Sequence, residues 1–191
     1  MHKGTRERRL LRKALVKKIN CLVLAASLLA GCATKTPQVA TYIDPYTQAR
    51  TDLMAENMLE SPQPIREIVW LNASRVFRNA RDYQYYLEVD YMARAETGYL
   101  EIPPGETLII LADGQELKFS GTGSLNNRKE KKDEVSERAI YVASGSQLRT
   151  IANAENVKVS ILGRNGMVQR TFTPANFDRF RQFVQHYVTI R

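Results

Sequence analysis

Hydrophobic and polar residues alternate with two different periods along this chain, and each period predicts its own kind of element. Residues 82–93 are the clearest: Tyr83, Tyr85, Leu87, Val89 and Tyr91 alternate with Gln84, Tyr86, Glu88 and Asp90. A period of two places one face of a strand on a core and the other in water. The same reading predicts strands at 65–76, 107–111, 116–120, 138–143, 157–161 and 167–172. Asp113-Gly114 and Asn165-Gly166 supply the residue pairs that hairpin turns favour. A period near 3.6 takes over at Phe177, Phe180, Phe183, Val184 and Tyr187, after the Thr173-Pro174 cap. Ser144 to Gln147 fits a capping box opening a short helix that buries Leu148, Ile151 and Ala152. Asp44-Pro45 is a third helix-start signature and predicts a helix over 45–59, stopped by Ser61-Pro62-Gln63-Pro64. Short turns between successive strands favour antiparallel pairing. The expectation is an α+β fold: an antiparallel β-sheet or open sandwich of about seven strands. A packed C-terminal helix, a short inserted helix and an N-terminal helix complete it.

The first 31 residues follow another rule. Residues 1–18 are strongly basic, and 19–30 (INCLVLAASLLA) are apolar over a stretch too short for the roughly 20 residues that span a bilayer. Leu29-Ala30-Gly31-Cys32 follows. This tetrapeptide resembles the lipobox of bacterial lipoproteins at all four positions. The resemblance implies cleavage before Cys32, a diacylglyceryl thioether on its sulfur and acylation of the new amine. It covers residues 1–33 only. Ala33 stands where an aspartate in Gram-negative relatives commonly signals retention in the inner membrane, which implies an outer-membrane lipoprotein facing the periplasm. Residues 32–43 (CATKTPQVATYI) lack either period and read as a lipidated tether. The expected organisation is a signal peptide over 1–31, a tether over 32–43 and one periplasmic domain over 44–191.

Removing the signal changes what the composition means. The chain of 191 residues carries a net charge of +8. Residues 1–31 hold eight basic residues and one acidic residue, so +7 of that charge leaves with them. A domain at +1 offers no electrostatic footprint for nucleic acid. Cys21 departs with the signal and lipidation occupies Cys32, so no disulfide forms within the domain.

Candidate chemistry in the mature chain is sparse. His186 is its one histidine and falls opposite the apolar stripe of the last helix, away from any orienting partner. No G-x-S-x-G nucleophile elbow or cofactor motif is present. Asp113, Glu116, Asp133 and Glu134 lack the spacing of a calcium loop and read as solvated turn charges. Gly121-Thr122-Gly123-Ser124 follows a strand, but no apolar helical stripe opens after it, so it reads as a loop and not a phosphate cradle. Residues 121–133 as a whole read as a loop. The charge run 128–138 opens with Arg128, Lys129, Lys131 and Lys132, a candidate docking patch for a partner. The tyrosines of 83–91, with Trp70, are candidates for a sugar or peptide groove, but alternation already assigns Tyr83, Tyr85 and Tyr91 to the core and leaves only Tyr86 on the polar face, so the core reading is favoured.

The preferred reading is a non-enzymatic, membrane-anchored envelope lipoprotein that binds an envelope protein or peptidoglycan, with no cofactor or metal. Two alternatives stay open: an envelope hydrolase using carboxylates or serine, and a carrier enclosing a lipid or small ligand between sheet and helix.

Overall fold

A computed structural model describes residues 39–61, 66–77 and 82–188. The signal peptide, the lipobox Leu29-Ala30-Gly31-Cys32, the first part of the tether and the stop at Pro62-Gln63-Pro64 lie outside the described residues.

Among the described residues ten strands form one antiparallel sheet: β1 (Val39–Ile43), β2 (Arg50–Met54), β3 (Glu67–Phe77), β4 (Tyr83–Arg94), β5 (Gly105–Ala112), β6 (Gln115–Gly121), β7 (Arg128–Lys131), β8 (Glu134–Ala143), β9 (Val157–Gly163) and β10 (Gly166–Thr171). Their spatial order is β1-β2-β3-β4-β8-β6-β5-β9-β10, with β7 paired beside β8. The middle of this path is weak. β4 and β8 pair along the whole of Tyr85–Arg94, but β8 meets β6 only at Tyr141 and Gly121. Gly121 fits that seam because a Cβ there would lie 2.7 Å from both the Ile140 carbonyl oxygen and the Tyr141 ring. Arg170 of β10 pairs with Glu67 of β3 at 2.8 Å, so strands far apart in the order meet across one large, open antiparallel sheet.

The inner face of the long strands is mainly apolar. Leu71 and Ala73 of β3, Leu87 and Val89 of β4, Leu108 and Ile110 of β5, and Val159 and Ile161 of β9 are all fully buried. Burying side chains of this size contributes about 1.5–3 kcal/mol each. Two helices close the core. α1 (Gly145–Asn153) opens with the complete Ser144–Gln147 capping box and buries Leu148, Ile151 and Ala152. α2 (Pro174–Tyr187) is capped by Thr173 and buries Phe180 and Phe183. Phe172, just after β10, packs on the rings of both Phe177 and Phe180 at 5.3 Å between centroids and ties the end of the sheet to α2.

Three sequence expectations are corrected. No helix occupies 45–59. Asp44 does accept hydrogen bonds from the Tyr46 and Thr47 N–H groups, at 2.8 and 2.9 Å, but this start is not continued. Gln48 turns to φ 57° and the Asp44 N–H bonds the Ala49 carbonyl, which closes a β1–β2 hairpin. An aspartate that caps a helix caps a turn by the same bonds. Strand pairing on both sides of β2 then outweighs helix propensity. Of the expected helical stripe Met54 is buried, whereas Tyr46 is 95% exposed.

The end of the tether is also strand. Residues 39–43 form β1 at the sheet edge, mostly exposed, so no buried face left a pattern to read. Within 121–133, Leu125–Asn127 form a 3-10 turn and Arg128–Lys131 form β7 against the first half of β8. Together with β2, β1 and β7 account for the rise from seven strands to ten.

Candidate functional site

The outward face of β3, β4 and β8 is concave, because irregular segments rise on both sides of it. The register aligns Trp70 with Asp90, and Asp90 with Arg138, in a row across the three strands. Asn72, Met92 and Ser136 flank the row. One wall comes from Glu56 and Met58, the other from Asn126, Asn127, Arg128 and Lys129. Together they line an open groove of about 770 Å³. That lies within the usual range for ligand sites, roughly 300–1,000 Å³.

Each wall is held from below. After β2 the chain kinks at Glu56, whose φ is 59°, and runs along β3 through a bridge between Met58 and Trp70. Asn57 fixes this run. Its Nδ2 donates to the Leu71 carbonyl at 2.8 Å and its backbone N–H donates to Asn72 Oδ1 at 3.1 Å. Asn176 of α2 donates to Asn57 Oδ1 at 2.9 Å, and Arg179 donates to the Glu56 carbonyl at 2.6 Å. The last helix thereby positions one side of the groove.

Glu137 holds the other side. It follows the inward period of β8, and its side chain is fully buried. Its carboxylate accepts the Glu101 N–H at 2.9 Å, the Ile102 N–H at 3.4 Å and the Ser124 hydroxyl. Arg128 stands 3.6 Å from it, pairs with Glu101 at 3.6 Å and lies over the Tyr99 ring at 5.3 Å. The alternation Val135, Glu137, Ala139, Tyr141 carried the signal for this residue: a lone carboxylate on an apolar face. Starting the strand at Arg138 concealed it.

The groove floor has its own electrostatics. Arg138 Nε donates to Asp90 Oδ1 at 2.6 Å. Glu88, two residues along the same face, is pushed above the usual carboxylate range, chiefly by burial and further by Asp90; Ser74 and Arg138 oppose the rise. Glu56, Asp90 and Glu137 balance Arg128, Lys129 and Arg138 around the groove, so its lining is neutral in sum.

The residues singled out from sequence have different fates. Arg128 is turned inward into the Glu137 network and leaves the expected basic patch. Lys129 stands exposed on the groove rim, while Lys131 and Lys132 are exposed away from the lining. Of the four, Arg128 alone is drawn toward Glu137, and Lys129, Lys131 and Lys132 remain exposed. Trp70 lines the groove. Tyr85 and Tyr91 are buried in the core, and Tyr83 packs against it. His186 is exposed, with Nδ1 2.8 Å from the Gln182 carbonyl oxygen.

Asp113 closes the β5–β6 hairpin and accepts the N–H groups of Glu155 and Asn156, which hold its carboxyl below the usual range. Glu116 lies 3.3 Å from Lys118. Asp133 and Glu134 sit at the separate β7–β8 turn. Among the described residues no three His, Cys, Asp or Glu gather as a metal site. In the glycine-rich segment, the Ser124 N–H bonds the Ile102 carbonyl at 2.9 Å. Gly123, at φ 74°, passes so close to Pro104 that a Cβ would stand 2.7 Å from its nitrogen.

Among the described residues no helix is long and apolar enough to cross a membrane. Comparison with protein-family models, curated sequences and solved structures gives no match.

Proposed function

We propose that this chain is an envelope lipoprotein, anchored through lipid on Cys32 in the outer membrane and facing the periplasm. Its β-rich domain acts without catalysis, by binding another envelope component. The observation that carries the binding role is the groove on the outward face of β3, β4 and β8. It combines an aromatic floor, neutral amides and a closed ion pair, a lining suited to holding a ligand. The pairing of Asp90 with Arg138, and the enclosure of Glu137 by backbone donors, argue against a pair of carboxylates working on a glycosidic bond.

Metabolic labelling with palmitate tests the anchor. Wild type takes up label and sediments with membranes; Cys32→Ala takes up none and, if released, is found in the soluble fraction. An unlabelled wild type removes the lipoprotein reading. Hydrolysis of envelope glycan by purified protein, lost in a folded Asp90→Asn variant, removes the non-enzymatic one.

A further inference from the structure

We infer that the groove binds the glycan strand of peptidoglycan, an uncharged polymer of amino sugars. This inference rests on the lipoprotein reading for the choice of polymer, since the proposed anchor faces the compartment where that polymer lies. The chemistry of the ligand is argued from the groove alone.

The backbone comes first. β4 lies between β3 and β8, and β8 lies between β4 and β7. On its other side β3 pairs with β2 and with the run around Met58. Main-chain donors and acceptors under the groove are therefore engaged in ladders. A peptide adding itself as a strand finds no edge there, and recognition falls to side chains.

Those side chains favour a polyol over an ion. Asp90 and Arg138 satisfy one another at 2.6 Å, so an anion meets the carboxylate and a cation meets the guanidinium. A hydroxyl both donates and accepts, and can bridge the two without separating them. Asn72 adds a donor. It is only 6% exposed, and its Oδ1 is taken by the Asn57 N–H while its amide nitrogen has no hydrogen-bond partner among the described residues. Asn126, Asn127 and Ser136 supply further neutral donors and acceptors.

Beside this polar strip runs an apolar one. Trp70 is opposite Met58 on one side and Asp90 on the other, Met92 stands two residues from Asp90 on the same face of β4, and Met58 is 53% exposed. An indole face suits the C–H face of a pyranose, and thioether side chains adapt to an N-acetyl methyl. The row Trp70–Asp90–Arg138 advances by one strand spacing, about 4.8 Å, at each step, close to the length of one sugar ring. Phosphorylated or acidic envelope glycans meet a floor whose guanidinium is already paired, with Lys129 on the rim as the cation without an ion-pair partner among the described residues. The peptidoglycan backbone, whose lactyl carboxyls are tied up as amides to its stem peptides, needs no cation.

The test uses the full lipidated chain in detergent micelles. It measures co-sedimentation with purified sacculi and titration with the tetramer of N-acetylglucosamine. The expected result is binding to both, weakened about tenfold by Trp70→Ala. Asn127→Trp fills the groove from an exposed wall and keeps the test valid if Trp70→Ala does not fold; it is expected to weaken binding as much. Lys131→Ala, outside the lining, is expected to bind as wild type. Binding that ignores both groove variants, or binding to sacculi that an excess of the uncharged tetramer does not compete, overturns the inference. So does absence of binding to either glycan. A protein crosslinked to position 58 without glycan binding overturns the glycan and leaves the envelope-binding reading standing. Absence of palmitate on Cys32 removes the anchor alone, because the tetramer titration does not depend on it.

Discussion

Glu137 and Arg138 are neighbours on β8 and belong to different parts of the molecule. Both carry charge and both have ion-pair partners. The Glu137 side chain is fully buried, whereas that of Arg138 is half exposed. Inside, the carboxylate gathers two backbone N–H groups, a hydroxyl and a guanidinium from three separate segments. Outside, the guanidinium meets one carboxylate across one strand boundary. A one-residue step on a strand thus separates a charge that organises loops from a charge available to a ligand.

The comparison breaks first at Glu137. Glu137→Ala leaves Arg128, Ser124 and the Glu101 N–H without their common acceptor. Removing one member of a buried charged network costs about 3–5 kcal/mol. Urea unfolding of the variant should show a loss of that size and an unchanged slope. A loss under about 1 kcal/mol, the range of an exposed pair, would make the two faces of β8 energetically alike.

Asp52 sharpens the same contrast by pH. Its carboxylate is fully buried and accepts bonds from Thr41 at 2.8 Å, Arg50 at 3.0 Å and Arg75 at 2.9 Å. Burial pushes its pKa up, but the bonds from Arg75, Thr41 and Arg50 together outweigh it and hold the group below the ordinary 3.8. A depressed folded value means stability that is present above pH 3.8 and lost as the pH falls through the folded value. Asp52→Asn should cost about 2 kcal/mol at neutral pH, the scale of hydrogen bonds to a charged group. The gap to wild type should close on acidification below 3.8. A gap of constant size from pH 7 to pH 2 would show that Asp52 is held by shape and not by charge.

These two carboxylates also mark where sequence reading stops. Alternation in β4 and the 3.6 period in α2 were legible because each buries one face against a filled core. β1, exposed along much of its length, offered no such contrast. β2 was misread because Asp52, its buried centre, is polar and because Asp44 caps a hairpin turn with the bonds that open a helix. The groove was half legible. Trp70 stood out by type, but Asn57, Asn72 and Met58 gain their roles from a kink and from α2, more than a hundred positions along the chain. Local pattern carries no trace of contacts at that separation. Glu137 was readable in principle, since period two placed it inward.

The smallest effect is expected at the outer member of the opening pair. Arg138→Gln removes a guanidinium that water already solvates on one side, and Asp90 keeps solvent access when its partner is gone. Exposed ion pairs are worth up to about 1 kcal/mol and are weakened by salt. Unfolding of Arg138→Gln should therefore lie within about 1 kcal/mol of wild type, with the difference shrinking at high salt. Glutamine retains a donor but loses the charge and the fork that hold Asp90 in line with Trp70. The variant thus separates the two roles that a charge can have on this strand. If stability survives while the affinity of the groove falls, Arg138 serves the ligand. If stability falls as far as in Glu137→Ala, the outer pair is structural, and the groove floor depends on it as the loops depend on Glu137.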